Sequence, residues 1–160
     1  MVKVQQLMEE IETKGGLTPA KKVRETAERF PDLIAMREKN FGIWEEITYK
    51  QYWEQAQWIG CALNYYGVET QDSVAIHSEN RPEWFISDVA IQAIGAVSVG
   101  LYPTNPPSEV SYLIGHSESK ILFAEDQEQV DKALEVIEEL PELKKIIYFE
   151  PRGLLSLIHI

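Results

Sequence analysis

The residues of this chain with the chemistry for a reaction or a ligand are a few carboxylates, three histidines and one cysteine. Glu125 and Asp126 directly follow the apolar run "ILFA", so they stand at a strand end, where two carboxylates can hold a metal ion or ribose hydroxyls. Asp126 also precedes Gln129 at capping-box spacing, which makes it the N-cap of the next helix. Glu45 and Glu46 are strand neighbours and point to opposite faces, so they cannot act on one bond. No two of His77, His116 and His159 lie one helical turn apart, as a zinc-binding helix requires. His77 ends a strand and His116 ends a helix, and both read as structural. Cys61 lies inside a helix with no histidine nearby in sequence to activate it, and reads as a small core or surface residue.

Phosphate-binding loops need clustered glycines so that backbone amides can approach an anion. Gly42, Gly60, Gly67, Gly95, Gly100 and Gly115 are scattered, and the pair Gly15 and Gly16 is followed by Leu17 with no phosphate-binding lysine. The chain therefore shows no nucleotide-phosphate cradle. The remaining polar residues at predicted strand ends are Glu79, Asn80 and Arg81 after "SVAIHS", and Thr104 and Asn105 after "AVSVGLY".

The elements that position these residues follow from hydrophobic period. Val4, Leu7, Met8 and Ile11 predict a short amphipathic lead helix within residues 1–16, ended by "KGG". Thr18 and Pro19 read as an N-cap and first-turn proline, and Pro31 closes that second helix. The runs "LIAMRE" and "GIWEEITY" form a hairpin around "KNFG". A long helix runs from Thr48 to Tyr66 with Gly67 just past its end. From Ser73 onward, strands and helices alternate with short connections, which is the pattern of right-handed βαβ units. The fold class is α/β, a mostly parallel sheet with flanking helices and an N-terminal hairpin.

In "SENRPEWFISD", residues 78–88, Asn80 and Glu83 have the spacing of a reciprocal cap around Pro82. The helix they open carries Trp84, Phe85, Val89, Ile91 and Ile94 around much of its circumference, which requires burial on more than one side. Residues 78–88 therefore read as framework.

Composition bounds the rest. A chain of 160 residues with 44% hydrophobic and 26% charged residues has the make-up of one globular unit. The net charge of −11 repels phosphate backbones and makes nucleic acid an improbable partner. One cysteine rules out an internal disulfide and fits a reducing compartment. The N-terminus lacks the form of a signal peptide and no apolar run is long enough to span a bilayer, so the expected location is cytoplasmic. After "YFEPRG" the chain reads "LLSLIHI", apolar and uncapped, and residues 156–160 read as a foreign or truncation tail.

Together, "TY" at residues 48–49, "NRPEW" at 80–84, "GAVSVGLYPT" at 95–104 and "YLIGHSESKILFAED" at 112–126 resemble the adenylate-forming (AMP-binding) superfamily, specifically its long-chain fatty acyl-CoA synthetases. The resemblance runs from about residue 19 to 150. It implies that residues 17–155 are part of a larger N-terminal domain. It also implies a two-step reaction in which Mg-ATP adenylates a fatty carboxylate and coenzyme A then displaces AMP. That makes ATP, Mg2+ and coenzyme A the parent's cofactors and a fatty acid its substrate, with peripheral membrane association left open. The family's phosphate loop, adenine motif, ribose-binding aspartate and C-terminal lysine have no matching positions here. No catalytic, cofactor-binding or metal residue is therefore assigned, and the segment is expected to be inactive alone. Gly100 stands where many relatives carry proline. Another acyl- or aryl-acid ligase of the superfamily, or a stand-alone α/β binding module, are the alternatives.

Overall fold

The structure is a computed structural model, and it describes residues 17–151. The predicted lead helix at 1–16 and the tail at 156–160 lie outside the described residues. Among those residues the chain forms α1 (Pro19–Arg29), β1 (Ile34–Asn40), β2 (Ile43–Thr48), α2 (Tyr49–Tyr65), β3 (Ser73–His77) and α3 (Pro82–Ala93). It continues through β4 (Val97–Leu101), α4 (Pro107–Ser117), β5 (Ile121–Ala124), α5 (Gln127–Glu135) and β6 (Lys145–Tyr148). A 3-10 turn at Ile137–Glu139 follows α5, and Val136 and Leu140 on either side of it are buried.

Local chemistry sets the boundaries. Thr18 accepts a hydrogen bond from the Lys21 amide at 3.3 Å, with Pro19 in the first turn of α1. Thr48 and Gln51 form a reciprocal capping box at the start of α2, with bonds of 3.2 and 2.9 Å. That helix ends as expected: Gly67 takes a φ of +83°, and the amides of Gly67 and Val68 donate to the carbonyls of Asn64 and Leu63 at 3.0 Å each. Val68 is then buried, so the helix stop also turns the chain into the core toward β3.

β1 and β2 pair antiparallel as a separate two-stranded ribbon, and the other four strands form a parallel sheet in the order β4, β3, β5, β6. The chain steps from β3 to β4 on one side, then crosses back over β3 to β5 and on to β6. Right-handed crossovers in opposite directions put helices on opposite faces. The packing shows this division. Val74 and Ile76 of β3 and Ile121 and Phe123 of β5 pack with Leu63 of α2 and Ile91 of α3. Ala75 and Leu122, one residue out of phase, pack with Val110 and Ile114 of α4 and Ala133 of α5.

α3 is covered on two sides, as its apolar circumference requires. Ile91 faces the sheet, while Ile86, Val89 and Ala90 face Ala20 of α1 and Tyr52 and Ala56 of α2. Gly60 permits this close approach, because a Cβ there would meet Ile94 Cγ2 at 3.2 Å. Among the described residues no helix is long and apolar enough to cross a membrane.

Ile91→Ala removes a fully buried side chain between α3 and the sheet, and is expected to lower stability by about 2 to 5 kcal/mol in urea unfolding. Trp58→Ala, on the outer side of α2 where the indole is mostly exposed, is expected to change it by no more than about 0.5 kcal/mol.

Candidate functional site

An open parallel sheet binds ligands outside the carboxyl ends of its strands, where successive connections leave for opposite faces. Here that place flanks β3. Its connection runs to α3 on one face, whereas those of β4 and β5 run to α4 and α5 on the other. The residues that emerge beside it are 78–81 after β3, 102–105 after β4, and Glu125 with Asp126 after β5.

Between β3 and β5 the crevice is closed by the protein itself. The Glu125 amide donates to the His77 carbonyl at 3.0 Å, which extends the ladder by one residue. Its side chain then turns back over β3: Glu125 Oε2 accepts from the Glu79 amide at 2.7 Å and from Ser78 Oγ at 3.2 Å. Arg81 Nη1 lies 3.4 Å from Glu125 Oε1, and Arg81 Nε donates to Glu83 Oε2 at 2.8 Å. Arg81 and Glu125 are both largely shielded, so the pair gains more than an exposed ion pair would. Asp126 turns away and accepts from the Glu128 amide at 2.9 Å as the N-cap of α5. The two adjacent carboxylates therefore do not converge on one ligand. Asp126 caps as expected, but it bonds the second amide of α5 rather than that of Gln129.

The reciprocal cap expected between Asn80 and Glu83 is not formed. Arg81 occupies the N-cap of α3 with no side-chain cap, and Glu83 is drawn instead to the Arg81 guanidinium. A charged partner two residues away outcompetes a neutral backbone amide for the carboxylate. Asn80 is left exposed at the rim of a recess of about 240 Å³ between the ends of β3 and β4. Ser78, Trp84, Gly100, Leu101 and Tyr102 line the rest. A Cβ at Gly100 would stand 3.6 Å from Trp84 Cζ2, so the indole forms the wall that the glycine leaves open.

The loop after β4 is held from below. His77, fully buried, donates from Nε2 to the Tyr102 carbonyl at 3.1 Å, and Lys132 Nζ donates to the Pro103 carbonyl at 2.6 Å while pairing with Glu128 at 2.7 Å. Burial, reinforced by the Lys132 charge, pushes the His77 pKa below its ordinary value, so the ring is neutral. The carbonyls of Tyr102 and Pro103 and the Glu128 carboxylate oppose that shift without reversing it. Asn105 donates to Glu109, tying the far end of the loop to α4, and Thr104 is exposed.

Other candidates lie elsewhere. Glu46 pairs with Arg37 at 2.8 Å and Glu45 accepts from Asn40 at 3.2 Å, both on the hairpin. His116 stacks on Tyr112 on α4, Cys61 is exposed on α2, and His159 lies outside the described residues. Sequence reasoning did not find a second polar tie: Asp88 accepts from Gln92 Nε2 at 2.8 Å and from Ser98 Oγ, fastening α3 to β4. Its signal was a lone carboxylate on an apolar helix with an amide four residues on. Tyr52 reaches the same helix, donating to the Phe85 carbonyl at 3.1 Å, and burial with Asp88 and Tyr49 nearby pushes its phenol well above the ordinary range. Among the described residues no three metal-ligating side chains gather at one point. The arrangement ties the turn after β3 and the loop after β4 to their neighbouring elements.

Comparison with known proteins agrees in sequence and in fold. A model of the family described as AMP-binding enzyme matches residues 23–156. The long-chain-fatty-acid–CoA ligase ACSBG2 of Xenopus laevis is 35% identical over 127 residues, covering 79% of this chain and 17% of the relative. The human long-chain-fatty-acid–CoA ligase ACSBG1 is 34% identical over 128 residues, covering 79% of this chain and 18% of the relative. This chain thus spans less than a fifth of the length of these relatives. Among solved structures, a Mycobacterium tuberculosis fatty acyl CoA synthetase superposes with a TM-score of 0.75 at 21% identity, over 81% of this chain and 26% of that one. The anthranilate CoA ligase AuaEII in complex with anthranoyl-AMP gives a TM-score of 0.64 at 27% identity, over 66% and 20%.

Glu125→Ala leaves the Glu79 amide and the Ser78 hydroxyl without their acceptor and Arg81 with Glu83 alone, and is expected to cost about 1 to 3 kcal/mol in urea unfolding at neutral pH. His77 adds a pH dependence. Its folded pKa lies below the unfolded value of 6.5, so only the unfolded chain takes the proton as pH falls through that value. The unfolding midpoint should therefore drop between about pH 7.5 and 5.5, and His77→Gln should flatten that slope.

Proposed function

The chain belongs to the AMP-binding enzyme family, and from that membership we propose that residues 17–155 form part of the large domain of an ATP-dependent long-chain fatty acid–CoA ligase. The observation that carries this reading is the continuous match over residues 23–156, together with relatives at 34% and 35% identity that are named as ligases for long-chain fatty acids. In such a ligase a carboxylate oxygen attacks the α-phosphorus of ATP, forming an acyl–phosphate bond as pyrophosphate leaves. The thiol sulfur of coenzyme A then bonds to the acyl carbon and AMP departs with the bonding electron pair. A free carboxylate is a poor electrophile, and adenylation supplies the leaving group.

The described residues do not fit Mg-ATP. Glu79, Glu83, Glu125 and Asp126 crowd the strand ends with negative charge, and the carboxylate best placed for a cation is engaged by an amide, a hydroxyl and a guanidinium. ATP, Mg2+ and coenzyme A are accordingly assigned to parts of the parent beyond these residues, and this segment supplies framework with no catalytic side chain. It lacks activity alone. The parent works in the cytoplasm with fatty acid, ATP and coenzyme A as partners and without nucleic acid. The likeness to an anthranilate CoA ligase supports one second reading, an aryl-acid substrate.

Fatty-acid-dependent exchange of pyrophosphate into ATP tests the assignment. The longer protein containing this segment is expected to show exchange with a long-chain fatty acid and little with anthranilate, and the 160-residue chain none with either. Exchange by the 160-residue chain, or anthranilate as the better substrate of the longer protein, would contradict it.

A further inference from the structure

The outer face of α2 carries aromatic rings where a surface helix ordinarily carries charge. Tyr52, Ala56, Gly60 and Leu63 turn its inner face into the core. On the opposite side Trp58, Cys61, Ala62 and Tyr65 follow one another at steps of three, one and three residues, so they form one stripe along the helix. Trp58 is 71% and Tyr65 85% exposed, with Cys61 and Ala62 exposed between them. The neighbouring α1 covers its own outer face with the ion pairs Lys22–Glu25 and Arg24–Glu28. Residues 55–68, by contrast, contain no charged side chain in a chain that is 26% charged. Gln57 and Asn64 flank the stripe on one side and Gln55 on the other, a polar rim without charge. The Tyr65 ring is braced edge-on by Tyr66 at 5.4 Å between centroids, and Lys145 Nζ lies 4.2 Å from the centre of the Tyr66 ring.

Two properties of the stripe select its partner. It is symmetric, because a large ring, two small residues and a second large ring are arranged evenly about the Cys61–Ala62 peptide bond. An antiparallel copy of the same helix, related by a two-fold axis at that bond, sets Trp58 of each copy against Tyr65 of the other. The small residues then lie at the crossing, where the helix axes come closest. The stripe is also uncharged, although the chain carries a net charge of −11. A basic partner would find no carboxylate in it to pair with, whereas a second acidic copy meets least repulsion at a face that bears no charge. A buried Trp or Tyr covers about 150 to 250 Å², so four rings bury roughly 600 to 1,000 Å², which suits a weak, reversible dimer.

We propose that the outer face of α2 is a self-association surface, on which two copies of this chain pair through antiparallel α2 helices. The proposal rests on α2 alone, and stands whether or not the ligase reading does. Cys61, the single cysteine of the chain, then lies beside the two-fold axis, close to its own counterpart.

Sedimentation velocity over a concentration series tests the surface on the 160-residue chain and on the longer protein. Both are expected to show a monomer–dimer equilibrium that tightens as salt screens the repulsion between acidic copies. Trp58→Ala and Ala62→Glu should each weaken it by about tenfold or more, whereas Tyr112→Ala, which removes an exposed ring from α4, should leave it unchanged. On dilute monomer, both α2 variants should unfold in urea at the midpoint of the unmodified chain, which separates association from folding. A short bismaleimide should join Cys61 to Cys61 in the 160-residue dimer, where no other cysteine can give that product. A monomer at every concentration, a dimer insensitive to either α2 variant, or loss of the dimer in Tyr112→Ala would overturn the proposal. So would weakening by salt, a dimer that does not crosslink at Cys61, or a longer protein that stays monomeric because the rest of the polypeptide covers α2.

Discussion

The structure depends on β3 being wet by nothing. Val74, Ala75, Ile76 and His77 are all fully buried, with a strand on either edge and helices on either face. A strand in that position must be apolar on both sides, and every element packed against it must come from a connection that leaves and returns. The reversal of strand order at β3 follows, and with it the assignment of α3 to one face and of α4 and α5 to the other. The ordinary ligand position of such a sheet lies at the carboxyl end of this strand.

At that position the chain's own side chains are engaged with one another. Glu125 closes one side by bonding the turn that begins α3, and His77 and Lys132 pin the loop on the other side from beneath. The groups that looked reactive as single residues serve each other. A carboxylate that satisfies an amide, a hydroxyl and a guanidinium has little remaining capacity for a metal ion, and a neutral imidazole bound to a carbonyl is a hydrogen-bond donor in a fixed tautomer. The open recess beside Trp84 and Gly100 survives because glycine leaves the indole uncovered.

Much of the fold was legible from residue pattern. Helix limits followed from Thr18, Pro19, Thr48 and Gly67, whose local chemistry acts within one turn, and the parallel sheet followed from the alternation after Ser73. The double burial of α3 was readable because its apolar residues do not keep to one stripe. The error at Asn80 and Glu83 has a different origin. Capping-box spacing is a local signal, but Arg81 lay between the two residues with a stronger claim on the carboxylate, and Glu125, 44 positions away, fixed where that arginine pointed. The role of Glu125 itself was out of reach for the same reason, since its partners lie in the turn that follows β3.

The central proposal is that these residues are framework whose strand ends are occupied from within, while the chemistry proposed for the longer polypeptide is carried elsewhere in it. A crystal structure of the longer protein with Mg2+ and a non-hydrolysable ATP analogue tests it most directly. The account predicts Glu125 still bonded to the Glu79 amide and Arg81, with no side chain from residues 17–151 within hydrogen-bond distance of the triphosphate or in the metal's coordination shell. Glu125 or Asp126 coordinating the metal, or Arg81 released from Glu125 onto a phosphate, would contradict it.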